Sequence, residues 1–512
     1  MLELVLFGSF LLLLFIGVPV AFSMGISAAA TIIYMQGATA LFPTTGIMYA
    51  SMSSETLLAI PFFILAGVIM ELTGISARLI ELADACVGHR KSGIALTTIL
   101  AALVFSSISG SGPATVAALG GILIPALAKH GYRKRHAAAL VASAGEMGIV
   151  LPPSIAFIVF AVVASDYERI SIGRLFMAGI IPGILLAIAF YLVARFLPRE
   201  MAQAKKSAKA HVDKAMGRVP HVGGRGFVAP ATSGGSADAM PGSGPSIHGS
   251  YGNRGKGNDA AREETRGSST VLTLEDLPHE AMIEIRTTRA PWPVIRTALF
   301  RAIPGLLMPI IILGGIYGGI FTPTESAAVA AVYALFVGLF VSRELKLKDM
   351  YKIFTTAGIQ SSRIMFIIAT ATLFAYVITK FRIAQNVADG LLSITDNAII
   401  LILLINVVLL IAGMFLDAIS AFYLFVPLFV PVLVELGMDM TTIGVFMTVN
   451  LALGLVTPPV GIDLFVAAGI AKIPFGEAVK GIWPFFGAGI AVLMLITFVP
   501  ALSNFLPDLM GM

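Results

Sequence analysis

The sequence predicts an all-α polytopic membrane protein, an inverted repeat of about five plus five transmembrane helices with two re-entrant helical hairpins. Three observations carry this. Of the 512 residues, 57% are hydrophobic and 12% charged, with a mean hydropathy of +0.92, whereas about a quarter of the positions in a soluble domain are charged. The charge is unevenly placed: positions 199–290 hold 13 of the 34 Lys and Arg and 10 of the 29 Asp and Glu, and the rest of the chain carries apolar stretches enough for about ten crossings. Sliding the sequence on itself by 306 positions superposes Pro125 on Pro431, Gly131 on Gly437, Gly148 on Gly454 and Pro152-Pro153 on Pro458-Pro459, which marks a duplication.

The first repeat, 1–198, offers spans at 4–22, 25–35, 57–72, 137–164 and 175–196. The leading run at 2–22 has no basic region before it and no small-residue cleavage site, so it is expected to stay as a helix rather than be removed as a signal peptide. The single cysteine, Cys86, excludes an intrachain disulfide and any multi-cysteine metal site, and reads as a small packing residue. Positions 199–290 are rich in Gly, Ser and basic residues with almost no apolar periodicity, and predict a disordered cytoplasmic linker. Within it, 271–285 fits either an amphipathic helix on the membrane surface or a solvated loop. The second repeat, 291–512, offers spans at 303–320, 326–341, 364–378, 441–470 and 482–502.

Orientation follows from the basic residues, which favour the cytoplasmic side. Arg90 and Lys91, Arg133 to Arg135, Lys205, Lys206 and Lys209, and Arg343, Lys346 and Lys348 then share that side, while the Lys/Arg-free stretch 36–50 and both termini fall outside. The net charge of +5 therefore reports membrane topology and not nucleic-acid binding. Five crossings in the first repeat place the second upside down, the arrangement of secondary transporters with a site at the membrane midplane.

Two apolar stretches do not fit one crossing. Between Lys91 and Lys129 lie 37 uncharged residues, broken at Ser109-Gly110-Ser111-Gly112-Pro113 and basic at both ends, so the chain must enter and leave on one face. The stretch from Asp396 to Glu435, interrupted at Gly413 and Asp417, suits a second hairpin from the outer face.

The chemistry-bearing residues cluster at these breaks. Hydroxyls among glycines at Ser106 to Thr115 expose hard oxygen ligands suited to Na⁺ and a half-helix N-terminus suited to an anion; a small-residue packing patch is the bland alternative. Pro152-Pro153 and Pro458-Pro459 remove amide donors inside otherwise continuous spans and break them where only protein or a wet cavity can cover the exposed carbonyls. Asp417 either binds a cation or a substrate hydroxyl, or caps the second half of its hairpin. Glu325, three positions after Thr322, fits a capping box. Glu146 and Asp463 either relay protons or hydrogen-bond the broken backbone beside them. There is no Gly-x-x-x-x-Gly-Lys-Ser/Thr run and no His-Glu-x-x-His run, so the energy comes from an ion gradient or a partner.

At Ser109 to Thr115, Gly148 to Ser154, Thr322 to Glu325 and Gly454 to Phe465, the chain resembles the large membrane subunit (DctM/SiaM-like) of tripartite ATP-independent periplasmic (TRAP) transporters, and the likeness covers nearly everything but the linker. The resemblance implies an elevator-type transporter of the inner membrane, working with a small four-helix membrane subunit and a periplasmic substrate-binding protein. It would import organic acids, C4-dicarboxylate-like or sialic-acid-like, coupled to Na⁺. It further implies that Ser107, Ser109 and Gly110 face Gly148 and Pro152 around one Na⁺, that Gly413 and Ala418 face Gly454 and Thr457 around a second, and that substrate lies near Ser109, Ser154 and Asp417. Two features depart from the family pattern: the long linker, and Asp463 in place of the Asn expected there, which leaves proton coupling open alongside Na⁺. The competing class is a stand-alone divalent-anion symporter without a binding protein. An ion channel suits paired hairpins less well, and no nucleophile with a nearby base lies at one depth to suggest an enzyme.

Overall fold

The computed structural model describes residues 2–90, 92–197, 289–395 and 397–512. The linker expected at 199–290 and the surface segment at 271–285 lie outside these, apart from Arg289 and Ala290. The described residues form 20 α-helices. In the first part these are α1 (Leu2–Phe15), α2 (Val20–Gln36), α3 (Phe42–Met52), α4 (Ala59–Leu72), α5 (Ile75–Val87), α6 (Gly93–Ser109), α7 (Gly112–Lys129), α8 (Lys134–Val150), α9 (Ile155–Ala164) and α10 (Ile172–Phe196). The second part has α11 (Trp292–Tyr317), α12 (Pro323–Phe336), α13 (Asp349–Lys380), α14 (Ile383–Ile394), α15 (Ala398–Gly413), α16 (Ala418–Glu435), α17 (Met440–Gly454), α18 (Ile462–Ala471), α19 (Phe475–Phe498) and α20 (Ala501–Leu509).

Helices α7 and α16 are both 18 residues long and start at Gly112 and Ala418, the 306-residue offset of the sequence duplication. The order around them repeats too: each follows a helix that ends at the hairpin tip and precedes a span broken at its Pro-Pro pair.

Eight of the described helices are long and apolar enough to cross a bilayer, or nine when α8 and α9, bent by 43° at their break, make one span. About ten were expected from hydropathy, and the N-terminus shows one reason for the difference. The expected span 4–22 is cut between α1 and α2, where Gly17 takes a φ of +91° and Pro19 forms the N-cap of α2. Proline biases Val18 away from helix and brings no amide to continue it, which a hydropathy window does not register.

The centre of the molecule is α8 and α17. Every residue from His136 to Val150 and from Met440 to Gly454 is buried, as expected of helices packed on all sides. They touch each other, and the repeats interlock around them: α7 of the first repeat packs on α18 of the second, and α9 of the first on α16 of the second. Outside this core α13 packs against α2, α3, α4 and α16, and α4 lies along α12. Large apolar side chains such as Leu4, Phe15, Phe42 and Phe196 stay exposed at the periphery, a surface that suits lipid and not water.

The start of α12 is the capping box expected from Thr322 and Glu325: Glu325 N donates to Thr322 Oγ1 at 3.2 Å, and Thr322 N to Glu325 Oε2 at 2.8 Å. Thr322→Ala is expected to cost about 1 kcal/mol, measurable as a lower melting midpoint of the purified protein.

Candidate functional site

The two hairpin tips meet the two broken spans backbone to backbone. Helix α6 ends at Ser109, the next residue Gly110 turns the chain into the left-handed region with a φ of +59°, and α7 restarts with Pro113 in its first turn. This tip lies on the break between α8 and α9: a Cβ at Gly148 would stand 2.9 Å from the Ser111 carbonyl oxygen and 3.0 Å from Thr115 Oγ1, and one at Gly110 would stand 2.9 Å from the Pro153 carbonyl oxygen. At the second tip, a Cβ at Gly454 would stand 2.5 Å from Gly413 Cα. Only glycine permits such approach: Gly413 and Gly454 meet directly, whereas Gly110 meets Pro153 and Gly148 meets Ser111.

The proline pairs act through the carbonyls they release. Pro152 and Pro153 bring no amides to the carbonyls of Gly148 and Ile149. Ser154 Oγ donates to the Ile149 carbonyl, and Ser154 accepts from Phe157 N as the N-cap of α9. In the second repeat the equivalent carbonyls of Gly454 and Leu455 are taken by Thr457 N at 2.9 Å and Asp463 N at 3.0 Å. The oxygens gathered here, carbonyls together with the hydroxyls of Ser109 and Thr115 (2.7 Å apart), are the hard donors that an alkali cation prefers.

Between the tips lies a cavity of about 490 Å³. Ser109 to Ala114 line it from the first hairpin, Asp417 to Ile419 from the second, Ile155 and Ala156 from the start of α9, and Leu455 and Ile462 from the second break. Asp417 is the N-cap of α16, its carboxylate accepting from Ile419 N at 3.1 Å, Ser420 N at 3.3 Å and Ser420 Oγ at 2.6 Å. Asp417 thus caps α16 and also lines the cavity. Ala418 also lines the cavity.

Other sequence-predicted residues sit differently. Ser154 is fully buried in its capping role and is not among the cavity-lining residues. Ser107 Oγ donates back to the carbonyls of Leu103 and Val104, and Thr457 Oγ1 to that of Leu453, so both hydroxyls are engaged by their own helices. Pro152 is buried inside the break. Asp463 crosses between repeats: its carboxylate fills the space where a Gly112 side chain would be, and lies 3.4 Å from where a Gly145 Cβ would be. Asp463 and Glu146 are both buried, and none of their carboxylate oxygens has a hydrogen-bond partner among the described residues. An unpartnered carboxylate at membrane depth costs several kcal/mol, which marks both as functional candidates.

Three polar cavity residues escaped the sequence reading: Glu71 at the end of α4, and Gln360 and Arg363 on α13. Hydropathy starts the corresponding span at Ile364, just past the arginine, whereas the helix begins at Asp349. The usable signal was spacing, since Gln360 and Arg363 lie three apart and share one helix face.

Eight or nine membrane-long helices, with two paired breaks around a shared cavity, define a polytopic membrane protein. The family model for the tripartite ATP-independent periplasmic transporter, DctM component, matches residues 7–502, and the chain belongs to that family. It is 36% identical over 501 residues to the isethionate TRAP transporter permease protein DctMQ of Oleidesulfovibrio alaskensis, covering 98% of this chain and 66% of that one. It is 35% identical over 496 residues to the C4-dicarboxylate TRAP transporter large permease protein DctM of Pseudomonas aeruginosa, covering 96% and 95%. It is 30% identical over 502 residues to the sialic acid TRAP transporter permease protein SiaT of Haemophilus influenzae, covering 98% and 67%. Among solved structures, the YdaH transporter of Alcanivorax borkumensis shares the fold at a TM-score of 0.56 and 15% identity, over 98% of this chain and 99% of that one.

Proposed function

We propose that this chain is the large permease subunit of a Na⁺-coupled secondary transporter of the inner membrane, importing an organic acid handed over by a periplasmic binding protein. The observation that carries it is the cavity shared by both hairpin tips, with helix N-termini and hydroxyls on its wall and oxygen-rich breaks behind it. The relatives transport isethionate, C4-dicarboxylates and sialic acid by name, all of them organic anions.

In this reading the two hairpins re-enter from opposite faces of an inverted repeat. Na⁺ binds as a co-substrate at the tips, one ion between the first tip and the Gly148 break and one between the second tip and the Gly454 break. The unit of hairpins and broken spans then moves as an elevator against α4, α12 and α13, carrying Ser109 and Asp417 with it. A small four-helix membrane subunit and the periplasmic binding protein are its partners in this reading. Both termini lie on the periplasmic side and the linker in the cytoplasm.

Uptake of an organic acid by proteoliposomes holding this chain, the small subunit and loaded binding protein is expected only with Na⁺ higher outside. Equal uptake in choline buffer removes the Na⁺ coupling. Full uptake without the binding protein supports the stand-alone symporter instead.

A further inference from the structure

Three ionisable side chains line the cavity, and their partners differ. Asp417 is held by the first turn of its own helix. Glu71 and Arg363 are not held at all: among the described residues neither makes a hydrogen bond or ion pair, with the other or with any third group. They sit on α4 and α13, helices that pack against one another, so the two opposite charges share a wall of one cavity without joining.

An unpartnered pair of this kind defines what a ligand must bring. The planar guanidinium of Arg363 matches a carboxylate or sulfonate through two parallel hydrogen bonds. An ionised Glu71 has only acceptor oxygens and matches a hydroxyl or an ammonium group. A second anionic group on the ligand finds no second free cation, because Arg363 is the one basic residue on the described cavity wall, and it meets the like charge of Glu71 or Asp417. Gln360, one turn before Arg363, adds an amide that donates and accepts beside the anion.

We propose that the cavity selects a monoanion bearing hydrogen-bond donors, Arg363 holding its acidic group and Glu71 a hydroxyl or ammonium group, and that it discriminates against dianions. The inference rests on the organic-acid reading above and narrows it from organic acids in general to hydroxylated or amino monoacids. It assigns substrate contact to two helices outside the hairpins, so that substrate bridges the hairpin unit and its surroundings when it binds.

The test is ligand-induced thermal stabilisation of the purified full-length chain, with gluconate as the hydroxylated monoanion and succinate as the dianion, at equal Na⁺ and ionic strength. Gluconate is expected to stabilise the wild type at concentrations at least tenfold lower than succinate. Glu71→Gln should shrink that ratio by improving succinate, Arg363→Gln should remove stabilisation by both, and Arg363→Lys should restore part of it. The ligand-free midpoint of each variant separates these effects from loss of fold. Succinate preferred by the wild type, or a ratio unmoved by Glu71→Gln, overturns the inference and leaves the organic-acid reading standing. Stabilisation of the wild type by neither anion counts against the organic-acid reading, and the inference falls with it.

Discussion

Uptake by Asp417→Asn falls by about a hundredfold while the protein keeps its melting midpoint. The carboxylate has a structural and a functional side, and the two substitutions at this position separate them. Asp417 caps α16 through Ile419 N and Ser420 N, and asparagine is an equally good N-cap, so the helix start survives. What disappears is the charge on the cavity wall. A hydrogen bond to a charged group contributes about 1.5–3 kcal/mol, and at roughly 1.4 kcal/mol per factor of ten the upper end of that range is the hundredfold. Asp417→Ala loses the same charge together with the cap, adding a destabilisation of about 1 kcal/mol. Its uptake is abolished and its midpoint drops, with the fold retained. Proteoliposome uptake measured beside thermal melting checks both variants. Normal uptake by Asp417→Asn reduces Asp417 to a helix cap.

The second large effect belongs to the backbone contact at the tip of the same hairpin. Gly454→Ala puts a methyl group 2.5 Å from Gly413 Cα, and main chain cannot turn aside as a side-chain end does. Overpacking costs about 1–3 kcal/mol, and with backbone on both sides the cost falls at the upper end of that range. The second hairpin is pushed off α17, so stabilisation by Na⁺ is expected to weaken along with the ligand-free midpoint. Gly469→Ala is the control: it lies in α18 with open space around the added carbon, and alanine is the better helix former there by roughly 0.5–1 kcal/mol. A Gly454→Ala protein as stable and as Na⁺-responsive as the wild type contradicts this account of the second tip.

Much of this site was legible in the sequence because it is written in prolines and glycines. Pro152-Pro153, Pro458-Pro459 and Gly110 act on their own backbone, so their effect is read without knowing what packs on them. The duplication then paired each tip with its break, since Gly148 and Gly454 stand at equivalent positions. Side-chain contacts between distant elements were not legible. Nothing local says that Asp463 of the second repeat fills the space above Gly112 of the first, or that Glu71 and Arg363 share a cavity wall. Hydropathy misled in two places for one reason, that it averages over a window. It ran the first span across Gly17-Val18-Pro19 into the start of α2, and it began the α13 span after the very arginine that faces the cavity.

The central claim is that the cavity between the tips opens to each side of the membrane in turn. Ala114 lines it and, with Cys86 replaced by serine, Ala114→Cys leaves one thiol to report on it. A membrane-impermeant thiol reagent is applied to right-side-out and to inside-out vesicles, with and without Na⁺. Labelling from both sides, in proportions that Na⁺ shifts, is the predicted result. Labelling from a single side under every condition contradicts alternating access through this cavity.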